Sequence, residues 1–75
     1  MPQDIVVIRL DTDPVQGLLT RSDEFTFPQW GEWDEAIGHP TQESADASKD
    51  ALINSYGFTS AQLWVGPRPQ HPPKP

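Results

Sequence analysis

The sequence predicts a small α+β domain: a three- to four-stranded, mainly antiparallel sheet with one helix packed on one face, in β-β-β-α-β order, ending in a proline-rich tail. Three observations predict it. One amphipathic helix is legible from Thr41 to Phe58. The flanking stretches alternate at the two-residue period of strands or carry turn residues. The last nine residues, PRPQHPPKP, hold five prolines. At 75 residues the chain makes one domain at most, predicted over residues 1–66, with 67–75 as a disordered tail.

The helix rests on agreement between caps and periodicity. Pro40 blocks helix upstream, and Thr41 offers a hydroxyl to the free N–H groups of the first turn. Glu43 and Asp46 lie toward the positive end of the helix dipole. Ala45, Leu52 and Tyr56 recur at i, i+7 and i+11, with Ala47 and Ala51 nearby and Ile53 widening the stripe. Gly57 follows the last turn, where a left-handed cap is free of steric cost only for glycine, and Phe58 is placed to touch Ile53. An apolar stripe of this period is expected to face a core.

Asp4–Leu10, DIVVIRL, is the strongest strand. Ile5, Val7 and Arg9 face one way and Val6, Ile8 and Leu10 the other, so both faces are apolar and an internal position follows. Asp11-Thr12-Asp13-Pro14 reads as a turn. An Asp-x-Asp pair can contribute to a cation site. A calcium loop needs more oxygen ligands and a glycine at fixed offset, and Val15 and Gln16 occupy those places. Gly17–Arg21 reads as a second strand and Glu24–Phe27, EFTF, as a third that Pro28 ends. Ala61–Gly66 reads as the last strand, with Leu63 and Val65 on one side and Trp64 on the other.

A chain of this size buries only about 60–65% of its unfolded surface, so the core is thin. With no cysteine, neither a disulfide nor a thiolate metal site is available, and no cofactor is expected. The longest strongly apolar run, Ile5–Ile8, is too short to span a membrane, and MPQD has neither the basic flank nor the apolar core of a secretion signal. A cytoplasmic protein is therefore expected. The net charge is −6, and it is uneven: between Ser22 and Asp50 eight acids face Lys49 alone, leaving −7 in that window. Such a surface disfavours nucleic acid and anionic membranes and attracts a basic protein surface, although charge also serves solubility.

Pro28–Pro40, PQWGEWDEAIGHP, is the most informative connection, being long for a loop in a compact domain. Trp30, Trp33 and Ile37 fall at i, i+3 and i+7, with Glu32, Asp34 and Glu35 between them, which fits a single helical turn over Gly31–Ile37. Two readings compete. The tryptophans plug the core, or they form a docking epitope rimmed by acids. One tryptophan is expected in the core and the other partly exposed. The epitope reading takes Trp30, Glu32, Trp33, Asp34 and Glu35, with Asp23 and Glu24 adding charge.

Chemistry is sparse. There is no phosphate-cradling glycine pattern and no Gly-x-Ser-x-Gly elbow. His39, between Gly38 and Pro40, has Glu32 and Glu35 near in sequence, but in so small a domain it is expected to be a solvated loop residue. Pro69, Pro72 and Lys74 fit a P-x-x-P-x-K spacing used by polyproline ligands. The order strand, strand, strand, helix, strand in a short acidic chain resembles small phage-encoded inhibitors of host machinery, including some anti-CRISPR proteins. The resemblance covers length, charge and element order and transfers no residue. The expected function is that of a non-catalytic interaction protein occupying a basic surface of a larger partner and imitating nucleic-acid charge. A homodimerising domain is the alternative, and a small metal- or histidine-dependent enzyme stands third.

Overall fold

A computed structural model of the chain describes residues 4–20 and 27–73. Four strands, β1 (Ile5–Arg9), β2 (Gln16–Leu18), β3 (Trp30–Glu32) and β4 (Leu63–Pro67), form one antiparallel sheet in the order β3-β2-β1-β4. One helix, α1 (Gln42–Tyr56), packs over β1 and β4. The fold is thus the predicted α+β arrangement. No helix among the described residues is long and apolar enough to cross a membrane.

β1 holds the internal place its two apolar faces predict, because a strand buried on both sides needs neighbours on both edges. Val7 joins Leu18, Ala45, Leu52 and Leu63 in the core under the helix, with Ile5, Ile53, Phe58 and Val65 packed against it. Val6 and Ile8 join Ala36 on the opposite face, where Leu10, Val15, Trp33 and Trp64 close over them. β4 divides as its alternation predicts, Leu63 and Val65 toward the helix and Trp64 away.

Of the expected strand Glu24–Phe27, residues 24–26 lie outside the described residues, and Phe27 lies in a bend with 72% of its surface exposed. Among the described residues the strand paired with β2 is Trp30–Glu32, within the stretch read as a loop, and the helical turn there shrinks to a 3-10 turn over Trp33–Glu35. Pro28 therefore precedes a strand, and Leu19 N–H reaches the carbonyl of Gln29 at 2.8 Å to extend the hairpin. The last strand starts later than predicted, because a capping-boxed 3-10 turn occupies Ser60–Gln62, and it runs one residue further to Pro67.

The helix begins where predicted: Thr41 Oγ1 accepts the Ser44 N–H at 3.1 Å. Its buried positions are Ala45, Ser48 and Leu52, while Tyr56 is 37% exposed. Ser48, at i+3 from Ala45, takes a place under the helix for which a polar residue gives no apolar signal. At the other end Gly57 has φ +78°, and the N–H groups of Gly57 and Phe58 both turn back to the Leu52 carbonyl. Nothing lies within 4 Å of a Cβ built on Gly57, so the demand there is purely conformational. Gly57→Val is expected to cost about 1–2 kcal/mol, read as a lower urea midpoint, while Gly57→Asn retains most of the stability because asparagine tolerates the left-handed region. Equal midpoints for both variants would refute the cap's contribution.

His39 is not the solvated loop residue its neighbours suggest. It is 1% exposed and forms an antiparallel bridge with Ile5, with His39 N–H to the Ile5 carbonyl at 2.7 Å and the reverse bond at 3.2 Å. Ile37 N–H meanwhile bonds the Leu18 carbonyl at 2.8 Å. Segment 37–39 therefore continues the pairing of β1 where β2 ends, and the sheet itself buries the imidazole.

Candidate functional site

The acidic segment starts on the edge strand. On a strand, side chains alternate between faces, so Trp30 and Glu32 point to the helix side and Gly31 to the other. The chain then turns into the 3-10 segment, and this carries Trp33 beneath the sheet. The two tryptophans thus lie on opposite faces, both half-buried. The predicted division, one in the core and one partly exposed, does not occur, because each tryptophan covers a different core layer.

Trp30 meets Phe58 at a ring-centroid distance of 5.7 Å and 48° between planes. The Arg9 guanidinium stands over both rings, 5.5 Å from Trp30 and 4.8 Å from Phe58. It is held there by an ion pair with Asp11, which also accepts from Gln62 Nε2 at 3.1 Å. The Arg9 hydrogen bond, outweighing burial, holds the Asp11 carboxyl below the usual carboxylate range. The pair therefore adds its stability above that range and loses it as pH falls through the lowered value. With Asp11 so engaged, the turn is built around an ion pair. No group of three or more histidine, cysteine or acidic residues is arranged to hold a metal among the described residues.

Trp33 packs with Trp64 and Val15 on the far face, against Val6, Ile8 and Ala36. The acids around it are exposed. Asp34 gives its backbone carbonyl to Arg68 Nη1 at 3.0 Å, while Arg68 Nη2 reaches Asp4 Oδ2 at 3.2 Å. A residue assigned by sequence to the free tail thereby ties the acidic turn to the start of β1. Asp23 and Glu24 lie outside the described residues.

Glu32 and Glu35 are brought together. They line one open cleft of about 360 Å³ with Pro14, Val15, Gln16, Leu19 and Gly31. Leu19, 36% exposed, is its large apolar wall. Two exposed acidic residues bordering a cleft walled by a leucine, Glu32 along the strand and Glu35 from the turn, suit a lysine or arginine with an apolar neighbour, since the charge steers and the apolar contact retains. Leu19 and Val15 were not singled out from the sequence. The usable signal is the Leu18-Leu19 pair: adjacent residues of a strand face opposite ways, and only one can enter the core beneath the helix.

His39 and Ser48 form the remaining pair with chemical potential, Nε2 to Oγ at 2.9 Å, and His39 Nδ1 lies 3.2 Å from the Ile5 carbonyl. A carbonyl only accepts, so in the neutral ring Nδ1 donates and Nε2 takes the Ser48 proton. Both residues are buried, and the pair joins segment 37–39, β1 and the helix. Comparison with family models, with curated proteins and with solved structures finds no match for this chain.

Proposed function

We propose that the protein acts by binding rather than catalysis, docking its acidic cleft onto a basic surface of a larger protein partner. The observation that carries the reading is the convergence of Glu32 and Glu35 on one cleft with the exposed Leu19. The charge window around it supports the same direction, since eight acids against one lysine repel nucleic acid and draw a basic protein surface. Inhibition by imitation of nucleic-acid charge is the form of docking that this acidity suits. The reading takes the cytoplasm as the compartment, where a cysteine-free chain needs no oxidising environment to fold.

The test begins with capture of the partner from native lysate and continues with surface plasmon resonance at two salt concentrations. Glu32→Lys with Glu35→Lys is expected to lower the on-rate by at least about tenfold at low salt. The difference shrinks as the screening length falls from about 10 Å at 0.1 M to about 3 Å at 1 M. Leu19→Ala is expected to raise the off-rate. Trp30→Ala belongs to a different class, since it removes a lid from the helix-side core and lowers stability first. An on-rate and salt dependence untouched by the double reversal leave the cleft as a solvated surface.

A second reading has its own observation. The Leu19–Gln29 bond fixes the ladder phase, so the N–H and C=O groups of Trp30 point outward, and they have no backbone partner among the described residues. A homodimer pairing two β3 edges would use them. Two copies of charge −6 repel, so light scattering at rising salt separates the readings: salt strengthens a homodimer and weakens docking on a basic partner.

A further inference from the structure

At the far end of β1 the β1–β2 loop, Leu10 to Val15, forms one wall of an apolar groove of about 470 Å³, and Pro72 and Pro73 complete it. The tail reaches this place from the other end of the sheet. Pro67 pairs with Ile5 at the start of β1, and Arg68 is fastened there by its N–H to the Asp4 carbonyl at 3.0 Å. The chain bends at Gln70 and His71, and this sets Pro72 and Pro73 against the loop.

Two features of the wall define what it takes. Thr12 Oγ1 is buried and has no hydrogen-bond partner among the described residues. A buried hydroxyl without a partner is costly, and a polyproline II strand makes no internal hydrogen bonds, so its carbonyls remain free to accept from such a donor. Asp13 lies exposed on the same wall, while Asp11 is committed to Arg9. A free carboxylate beside an apolar proline seat favours a basic residue in the bound strand.

We propose that the β1–β2 loop is one side of a docking groove for a basic, proline-rich segment in polyproline II conformation, and that the chain's own Pro72 and Pro73, which close the groove from the other side without engaging Thr12, act in cis as a competing strap. A partner segment of the same chemistry must displace Pro72 and Pro73 to enter. The groove is separate from the acidic cleft, and the proposal does not depend on the docking read there.

The experiment uses the isotopically labelled full chain and an unlabelled peptide of its own tail sequence, PRPQHPPKP, followed by NMR at the amides of Leu10 to Val15. With a tail effective concentration on the order of 1 mM and a peptide dissociation constant on the order of 0.1 mM, the strap weakens peptide binding by about tenfold. Pro72→Ser with Pro73→Ser is therefore expected to shift those amides by itself and to bind the peptide about tenfold more tightly than the unaltered chain. Thr12→Val in that background keeps the shape but loses the donor. It is expected to weaken the peptide by about fivefold to tenfold while leaving the unfolding midpoint equal or higher, because the hydroxyl is unpartnered without the peptide. A peptide with alanine at its prolines is expected not to bind. Three results overturn the proposal: no peptide-induced shift at Leu10–Val15 in either protein, equal affinity in both, or loop shifts that follow protein concentration without peptide. The last would place a second copy's tail in the groove.

Discussion

His39→Ala is expected to lower stability by about 3 kcal/mol, and the reason is that one side chain ties three elements. The imidazole fills a fully buried volume, contacts the Ile5 carbonyl through Nδ1 and takes the Ser48 hydroxyl through Nε2. Truncation opens a cavity and removes the ring's bonds from polar groups on β1 and the helix. A domain of this length holds roughly 4–11 kcal/mol in all, at about 0.05–0.15 kcal/mol per residue, so the loss is a large share of the total. Ser48→Ala alone is expected to cost about 1–2 kcal/mol. The pair is best judged by a double-mutant cycle in urea. His39→Leu with Ser48→Ala replaces both partners by apolar groups and is expected to cost less than His39→Leu and Ser48→Ala measured singly and added together, because neither partner is left unmatched. Strict additivity would show that the Nε2–Oγ bond contributes nothing and that the two residues act only by filling space.

Gly17→Ala is expected to cost about 2–3 kcal/mol, more than any other glycine-to-alanine change in the sheet. A Cβ at Gly17 meets the Ala36 Cβ and the Glu32 carbonyl oxygen at 2.7 Å each, and the Ala36 Cα at 3.0 Å. These are backbone atoms or a Cβ, which yield only if the whole 3-10 turn lifts. Gly31 offers the control, since its Cβ would meet Leu19 Cδ1 at 2.8 Å, the far end of a side chain that can rotate. Gly31→Ala is therefore expected to cost less than about 1 kcal/mol. Ala36→Gly in the Gly17→Ala background should return part of the loss, because it removes one of the two clashes. The consequence reaches the candidate site: Glu35 belongs to the turn that must lift, so Gly17→Ala separates it from Glu32 while changing no charge. If both glycine variants unfold at the same urea concentration, the turn is not packed on β2 as described.

What the sequence determined by itself is the part governed by short-range chemistry. The helix follows from Thr41 at one end, Gly57 at the other and apolar spacing between, all set within one or two turns. β1 follows from a β-branched run with two apolar faces, and the division of β4 follows from alternation over five residues. The tertiary structure decided the rest. β3 is three residues with glycine at its centre, too short to show a period, and it exists because Gly17 and Gly31 pair across the hairpin. His39 is buried because it pairs with Ile5, 34 positions away, and nothing adjacent to either residue encodes that contact. The tryptophans looked like one epitope because i and i+3 share a face of a helix. The chain passes from strand to 3-10 turn between them, and a change of backbone period at Trp33 sends them to opposite sides of the sheet. The cleft joining Glu32, Glu35 and Leu19 arises from the same crossing, since it exists only where the turn folds back over β2, and the charge pattern that marks the region acidic says nothing of which acids meet.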